Sequence, residues 1–415
     1  MQSLTLFGYA KTTRAIAKRF GPATFFDDKI TVPHKDEDGN FLMPPSLFDP
    51  TKSLVEIPSP GFPPNHPLIQ QAQNLISEYD LFLSEEAKTI FHLPSSIFHP
   101  TKPYSVWISG TNGKTTTTQM VTHLLSQRGA ISGGNIGTPL ADLDPNAPIW
   151  VLETSSFTLH YTRFAKPDLY LLLPITPDHI AWHGSEANYI DAKLAPLKMM
   201  QEGEAIILPK AFADRPTHGF KIPYDSPIDL ANYFGIDQQK VHFEGAFLLD
   251  ALLALSVSKI LFDTIDYDAI NAFQLDPHRQ EKIIDSRGRL WINDSKATNI
   301  DATIQALTPL KAKKIFLILG GDDKGVDLHP LFEAFQGYDL TLFAIGKNCE
   351  KVAQLAEQYH IPCHMAHTLE KAITAIDTIH TTDSVALLSP AAASLDQFSS
   401  YAERGNLFKE TIRRF

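Results

Sequence analysis

Residues 107–118 read WISGTNGKTTTT, a stretch that sets two glycines, a lysine and a run of hydroxyls side by side. Holding phosphate is the chemistry open to it. Backbone N–H groups from Gly110 to Lys114 can converge on phosphate oxygens, Lys114 adds a full positive charge, and a following helix adds the partial charge of its N-terminus. Thr115 offers a hydroxyl to Mg2+, while Thr111, Asn112, Gly113 and Thr116 complete the cradle. The common form of such a loop has a further glycine where this chain has Ile108. The flanking SVWIS and QMVTHLL read as strand and helix, and that context outweighs the missing glycine. A loop with no ligand is the alternative.

Other polar residues also stand at the ends of apolar runs. Glu153 closes IWVLE, where a carboxylate can hold the metal ion that a nucleoside triphosphate brings; alone it could equally cap a helix or pair a lysine. The run LYLLLP empties into Asp178, His179 and His183, and a helical pattern then carries Lys193. Metal sites collect such side chains, and so do ordinary polar turns. Farther on, Arg279 lies in PHRQEKI, Asp294, Lys296 and Thr298 in NDSKAT, and Lys324 in LGGDDKG. Each alone reads as a solvated surface; three such clusters at strand ends read as an anion-binding mouth. In the segment SPAAASLDQFSSYAERG the Ser394 hydroxyl and the Tyr401 ring are expected to be free for a ligand.

These groups need a scaffold of strands ending on one edge. LTLFGYA, VWISG, IWVLETS, LYLLLP, EAIILP, KIFLILGG, TLFAIG and SVALLSP alternate with helical patterns, and several are apolar throughout, as strands buried on both faces of a parallel sheet are. The spacing predicts an α/β protein. Proline-rich joints near 92–105 and 272–280 divide it into domain-sized pieces, read as 1–92, 93–276 and 277–415. The first opens strand, glycine turn, helix, as a Rossmann-like unit does. Its full glycine fingerprint is absent, so a structural turn is the plain alternative. After another strand Gly61 falls among prolines, where ligands of open α/β sheets bind.

With 415 residues, 43% of them hydrophobic, the chain supports two or three cores. A net charge of -11 argues against a non-specific nucleic-acid binder or an anionic membrane surface. The only two cysteines, Cys349 and Cys363, make neither a disulfide framework nor a metal cluster. No secretory signal and no membrane-spanning run is legible, so a cytoplasmic protein is expected.

Taken in order, GTNGKT at 110–115, NIG at 135–137, ETSSF at 153–157, DH at 178–179, PHR at 277–279, NDSKATN at 293–299, LGGDDKG at 319–325 and SPAAASLDQF at 389–398 resemble the Mur ligase family. Within it they look like the branch that ligates D-glutamate to UDP-N-acetylmuramoyl-L-alanine, a cytoplasmic step of peptidoglycan synthesis. The likeness is close in the central and last pieces and loose in the first. It implies a Rossmann-like N-terminal domain, a central P-loop ATPase-like domain and a Rossmann-like C-terminal domain. It also implies a monomer using ATP and two Mg2+ ions, with no nucleic-acid partner and no membrane insertion.

By the same resemblance Lys114, Glu153, His179 and Lys193 are catalytic. Thr115, Glu153, His179 and Lys193, the last as a carbamate, hold metal, and Arg279, Asp294 and Lys296 close over the nucleotide. Asp27, Asp28, Lys29, Gly61, Asn135 and His179 face the UDP substrate, and Thr298, Lys324, Ser394 and Tyr401 receive D-glutamate. Rival readings are a folylpolyglutamate synthase, a sister ligase for another amino acid, and a module that binds ATP without ligation.

Overall fold

The computed structural model describes residues 3–93 and 102–415, so most of the first proline-rich joint lies outside the described residues. Three sheets follow one another along the chain. The first holds β1 (Ser3–Phe7), β2 (Thr24–Phe26), β3 (His34–Lys35), β4 (Phe41–Met43) and β5 (Ser53–Pro58) in the order β3-β4-β2-β1-β5. Only the β3–β4 pair is antiparallel. The second is wholly parallel: β6 (Tyr104–Ser109), β7 (Ala130–Gly134), β8 (Ile149–Glu153), β9 (Leu169–Leu172), β10 (Ala205–Pro209) and β11 (Phe220–Tyr224), ordered β11-β10-β9-β6-β8-β7. The third holds β12 (Glu281–Ile284), β13 (Leu290–Asn293), β14 (Lys314–Gly320), β15 (Asp339–Ile345), β16 (Cys363–His367) and β17 (Ser384–Leu388), ordered β12-β13-β17-β14-β15-β16.

All eight apolar runs expected to be strands are strands. Those at sheet centres are covered on both faces: every residue of β8, β9 and β17 is buried, and Trp107 and Trp150 are wholly so. Each buried Leu, Ile or Val contributes about 1.5–3 kcal/mol, which anchors the loops leaving these strands. The strands with no legible signal are β3, β4, β7, β11, β12 and β16. All but β4 are edge strands, and β4 is second from an edge. An edge strand packs against one neighbour and keeps polar or exposed positions, such as His34 and Lys35 in β3.

The chain forms two compact units, one of residues 1–242 and 249–272, the other of 243–248 and 273–415. The first unit therefore contains two sheets, which share a core through Tyr79, Phe82, Trp107 and Trp150. In the second unit separate cores cover the two faces of one sheet. In the second sheet β6 leads away to β7 while β9 leads to β10 on the opposite side. The exits of β6 and β9 thus flank a topological switch point, where ligands of open α/β sheets bind. Among the described residues no helix is long and apolar enough to cross a membrane.

Candidate functional site

The loop after β6 is shaped by its glycines. Gly113, at φ 81°, precedes the helix Lys114–Leu125, and a methyl group there would lie 2.6 Å from Asp250 Oδ1 and 2.8 Å from Leu173 Cδ2. Gly110, at φ 142°, comes so near Leu173 that a Cβ would stand 2.6 Å from that residue's own. Only glycine fits this backbone. Lys114 folds back, its Nζ donating to the carbonyls of Gly110 (3.1 Å) and Thr111 (2.7 Å). Thr111 Oγ1 donates to Thr176 O and shares a 2.9 Å hydrogen bond with Tyr189 OH, which ties the loop to the helix Glu186–Leu194. Behind it Thr117 donates to Asp250 at 2.9 Å. Asp250 carried no sequence signal, because it sits inside a mostly apolar helix, Ala246–Phe262.

That same helix, Glu186–Leu194, brings Lys193 to the loop. Its side chain is 2% exposed, its Nζ donates to Gly110 O at 2.6 Å, and it lies 4.8 Å from the centre of the Tyr189 ring. Burial, and then the neighbouring Lys114 charge, hold its pKa well below the usual ammonium range, against the pull of Asp178 and Glu153. Glu153, at the end of β8, is 3% exposed; Oε1 accepts from Asn135 Nδ2 at 2.7 Å, while Oε2 is buried with no partner. The buried Thr116 hydroxyl also lacks a partner. Oxygen atoms left open in this way suit a hard divalent cation. Among the described residues no group of three or more His, Cys, Asp or Glu is placed to hold a metal ion.

The two histidines differ. His179, at φ 52°, starts the short helix Ile180–His183; its ring stands 3.5 Å from Asp178 Oδ2 and against Phe157 at 4.7 Å, with about half of it exposed. His183 is buried among Phe157, Trp182 and Tyr189 with Nε2 on Ser156 Oγ, and burial pushes its pKa down to about 4. It packs as a neutral core side chain.

Nearby, a cavity of about 150 Å³ is lined by Lys11, Thr12, Pro60, Glu78, Asn135 and Gly137, among others. Asn135 therefore joins this cavity to Glu153. Asp27, Asp28 and Lys29 are not in its lining: Asp27 accepts the N–H groups of Tyr9 (2.7 Å) and Lys29 (2.8 Å), and Asp28 pairs with His66. Gly61 has open space beside it, and its carbonyl accepts from Trp182 Nε1. Lys11 Nζ donates to Gly137 O, and Glu78 accepts from Leu140 N at 2.7 Å while burial raises its pKa to about 8. Neither was singled out in the sequence. The available signal was a lysine opening the helix directly after the GYA turn.

In the second unit, Asp294 at the exit of β13 accepts from Ser389 Oγ (2.9 Å) and Gln280 N (3.2 Å), and burial raises its pKa to about 7. Arg279 Nε is buried with no partner, and Lys296 Nζ lies 5.5 Å from the Tyr401 ring centre. Thr298 and Lys324 are exposed, Lys324 at φ 52° with its N–H on Asp322 Oδ1. Ser394, expected to offer a free hydroxyl, is instead 3% exposed, because its segment bridges to the Lys324 loop through Asp322 and Ala393. Within each unit, then, the structure groups Gly110–Thr116, Glu153, Asn135, His179 and Lys193, and separately the exits of β13, β14 and β17.

Residues 108–240 match the Mur ligase middle domain and residues 278–391 the Mur ligase glutamate ligase domain. A curated UDP-N-acetylmuramoylalanine–D-glutamate ligase of Campylobacter jejuni is 52% identical over 415 residues, 99% of each chain. The protein of the same name from Helicobacter pylori strain J99 is 44% identical over 428 aligned positions, again 99% of each. Among solved structures, MurF ligase from Thermotoga maritima in complex with ADP superposes with a TM-score of 0.56 at 15% identity, covering 95% of this chain and 94% of that one. A folylpolyglutamate synthase from Mycobacterium tuberculosis gives 0.53 at 14% identity, covering 74% and 91%; these two likenesses speak for the fold. Full-length identity, matched domains and the glycine loop agree, and the chain belongs to the Mur ligase family.

Proposed function

We infer that this protein is an ATP-dependent ligase that joins D-glutamate to UDP-N-acetylmuramoyl-L-alanine in the cytoplasmic stage of peptidoglycan synthesis. The observation that carries the reading is the convergence of Lys114 and Lys193 on one carbonyl, Gly110 O, within a loop only glycine can form. Full-length relatives bearing the D-glutamate ligase name support the choice of acceptor over that of a folylpolyglutamate synthase. The finer division into 1–92, 93–276 and 277–415 is part of this proposal, supported by the three sheets.

The physical difficulty is charge. A triphosphate and a carboxylate must approach to bonding distance, and cations with oriented dipoles have to offset their repulsion. Lys114, the loop N–H groups and the helix Lys114–Leu125 supply these on the phosphate side. The γ-phosphoryl group passes to the carboxylate of the UDP substrate. The amine of D-glutamate then attacks the carbonyl carbon, the bond to phosphate breaks, and the amine proton leaves.

Thr115, Glu153, His179 and Lys193 would hold magnesium, which when bound neutralises phosphoryl oxygens. An ammonium at Lys193 would oppose this. Its buried amine, held well below the usual ammonium range, can instead add to CO2 once deprotonated, forming an N–C bond and releasing a proton, which leaves an anionic oxygen ligand. Asn135, Lys11 and Thr12 line the cavity assigned to the UDP substrate, with Asp27, Asp28, Lys29 and Gly61 proposed at its margin. Arg279, Asp294 and Lys296 serve the nucleotide, and Thr298, Lys324 and Tyr401 the acceptor.

The test is phosphate release measured with each substrate omitted in turn, over a panel of amino acids. Release is expected only with both UDP-N-acetylmuramoyl-L-alanine and D-glutamate. Hydrolysis indifferent to both would support the ATP-binding module, and preference for another amino acid a sister ligase.

A further inference from the structure

Two guanidinium groups are almost fully buried in the second unit, and their surroundings differ. Arg289, 3% exposed, sits between Asp285 (2.7 Å) and Asp377 (2.5 Å). Arg404, 1% exposed on the helix Tyr401–Ile412, forms no ion pair among the described residues. It donates from Nε to Ser295 Oγ (2.9 Å) and from Nη2 to the carbonyls of Ser295 (2.8 Å) and Ala392 (3.1 Å). Nη1 lies against Gly321, where a methyl group would stand 3.4 Å away. Burial lowers its pKa to about 10, with Asp396 only partly offsetting the cost. A buried charge is ordinarily matched by an opposite one. Among the described residues no carboxylate is paired with it, and Asp396 acts on it without forming an ion pair.

The position of this charge says what could supply it. Ser295 leaves β13, Ala392 leaves β17 and Gly321 leaves β14, three adjacent strands of one sheet. Asp322 pairs with Ala393 across two of these exits, with Lys324 and Ser394 next along each, and Ser295 Oγ also donates to Tyr401 O at 2.8 Å. One side chain thus ties together the loops that carry Thr298, Lys324, Ser394 and Tyr401. We propose that Arg404 is a specificity-determining residue, the buried positive charge answered by a carboxylate of the amino-acid acceptor bound over these loops. It acts across the loop backbone, favouring a dicarboxylate over an acceptor with an uncharged side chain. This rests on the reading of the protein as a D-glutamate ligase.

The test compares D-glutamate with D-glutamine in the wild type and in Arg404→Met. The methionine variant is expected to raise KM for D-glutamate about tenfold or more, leave KM for ATP within about twofold, and narrow the preference for D-glutamate over D-glutamine by the same factor as the KM rise. Arg404→Lys, which keeps the charge, is expected to retain most of that preference. A structural role alone would lower the rate with both acceptors equally; an unchanged ratio in a folded Met variant overturns the proposal. If circular dichroism shows that Arg404→Met does not fold, Arg404→Gln, which keeps an amide donor without charge, decides by the same ratio. A wild type indifferent to D-glutamate would instead refute the functional reading itself.

Discussion

The side-chain nitrogen of Lys193 donates to the Gly110 carbonyl at 2.6 Å, across a sequence separation of 83 residues. The lysine thus belongs to the glycine loop as a buried amine with no ion pair among the described residues. We expect Lys193→Ala to lower kcat by at least about a hundredfold, the scale of losing one transition-state contact. Wild-type activity should fall in CO2-free buffer and return with bicarbonate. A fully active alanine variant would remove Lys193 from the mechanism.

Gly113→Ala should be costly for two separate reasons. Its left-handed backbone strains any side chain, and the methyl group would collide with Asp250 and Leu173. Together these amount to about 2–4 kcal/mol. Chemical denaturation should show that loss, and nucleotide binding should fail. Wild-type ATP affinity in the variant would contradict the loop geometry.

Lys11→Met should raise KM for the UDP substrate about fivefold, the scale of an exposed charge contact. KM for ATP and for D-glutamate should not move. Equal changes for all three substrates would argue that Lys11 only supports the Gly137 turn.

Lys324→Ala is expected to raise KM for D-glutamate about tenfold, by removing a charge-assisted contact to a dicarboxylate. Initial rates against acceptor concentration test this. An unchanged KM would take Lys324 out of the acceptor site.

Glu78 provides a test of stability against pH. Its carboxyl ordinarily titrates near 4.5 and in the folded chain near 8. Between these values the folded state keeps a proton that the unfolded state has lost, so stability declines as pH rises through that window and is flat above it. Glu78→Gln lacks this term. Thermal unfolding at about pH 5 and about pH 9 should show the variant stabilised relative to wild type at the higher pH, with the gap nearly closed at the lower. A gap independent of pH would mean that Glu78 is ionised in the folded protein.

Local sequence carried a good deal of this molecule. Strands at sheet centres are apolar because both faces are covered, so β6, β8, β9, β14, β15 and β17 were readable from composition alone. The loop at 110–115 was readable because its glycines, lysine and threonine act through backbone shape within six residues. Edge strands such as β7, β11, β12 and β16 were not, since one solvated side leaves a mixed pattern. Tertiary structure alone decided that Ser394 is buried, that His183 is a neutral core residue, and that Asn135 shares a hydrogen bond with Glu153. It also decided that Lys11 faces a cavity and that Arg404 is buried without an ion pair among the described residues. Each of these depends on which strand exits become neighbours, and strand order follows from packing distant segments into shared cores, where no short window of residues records the partner.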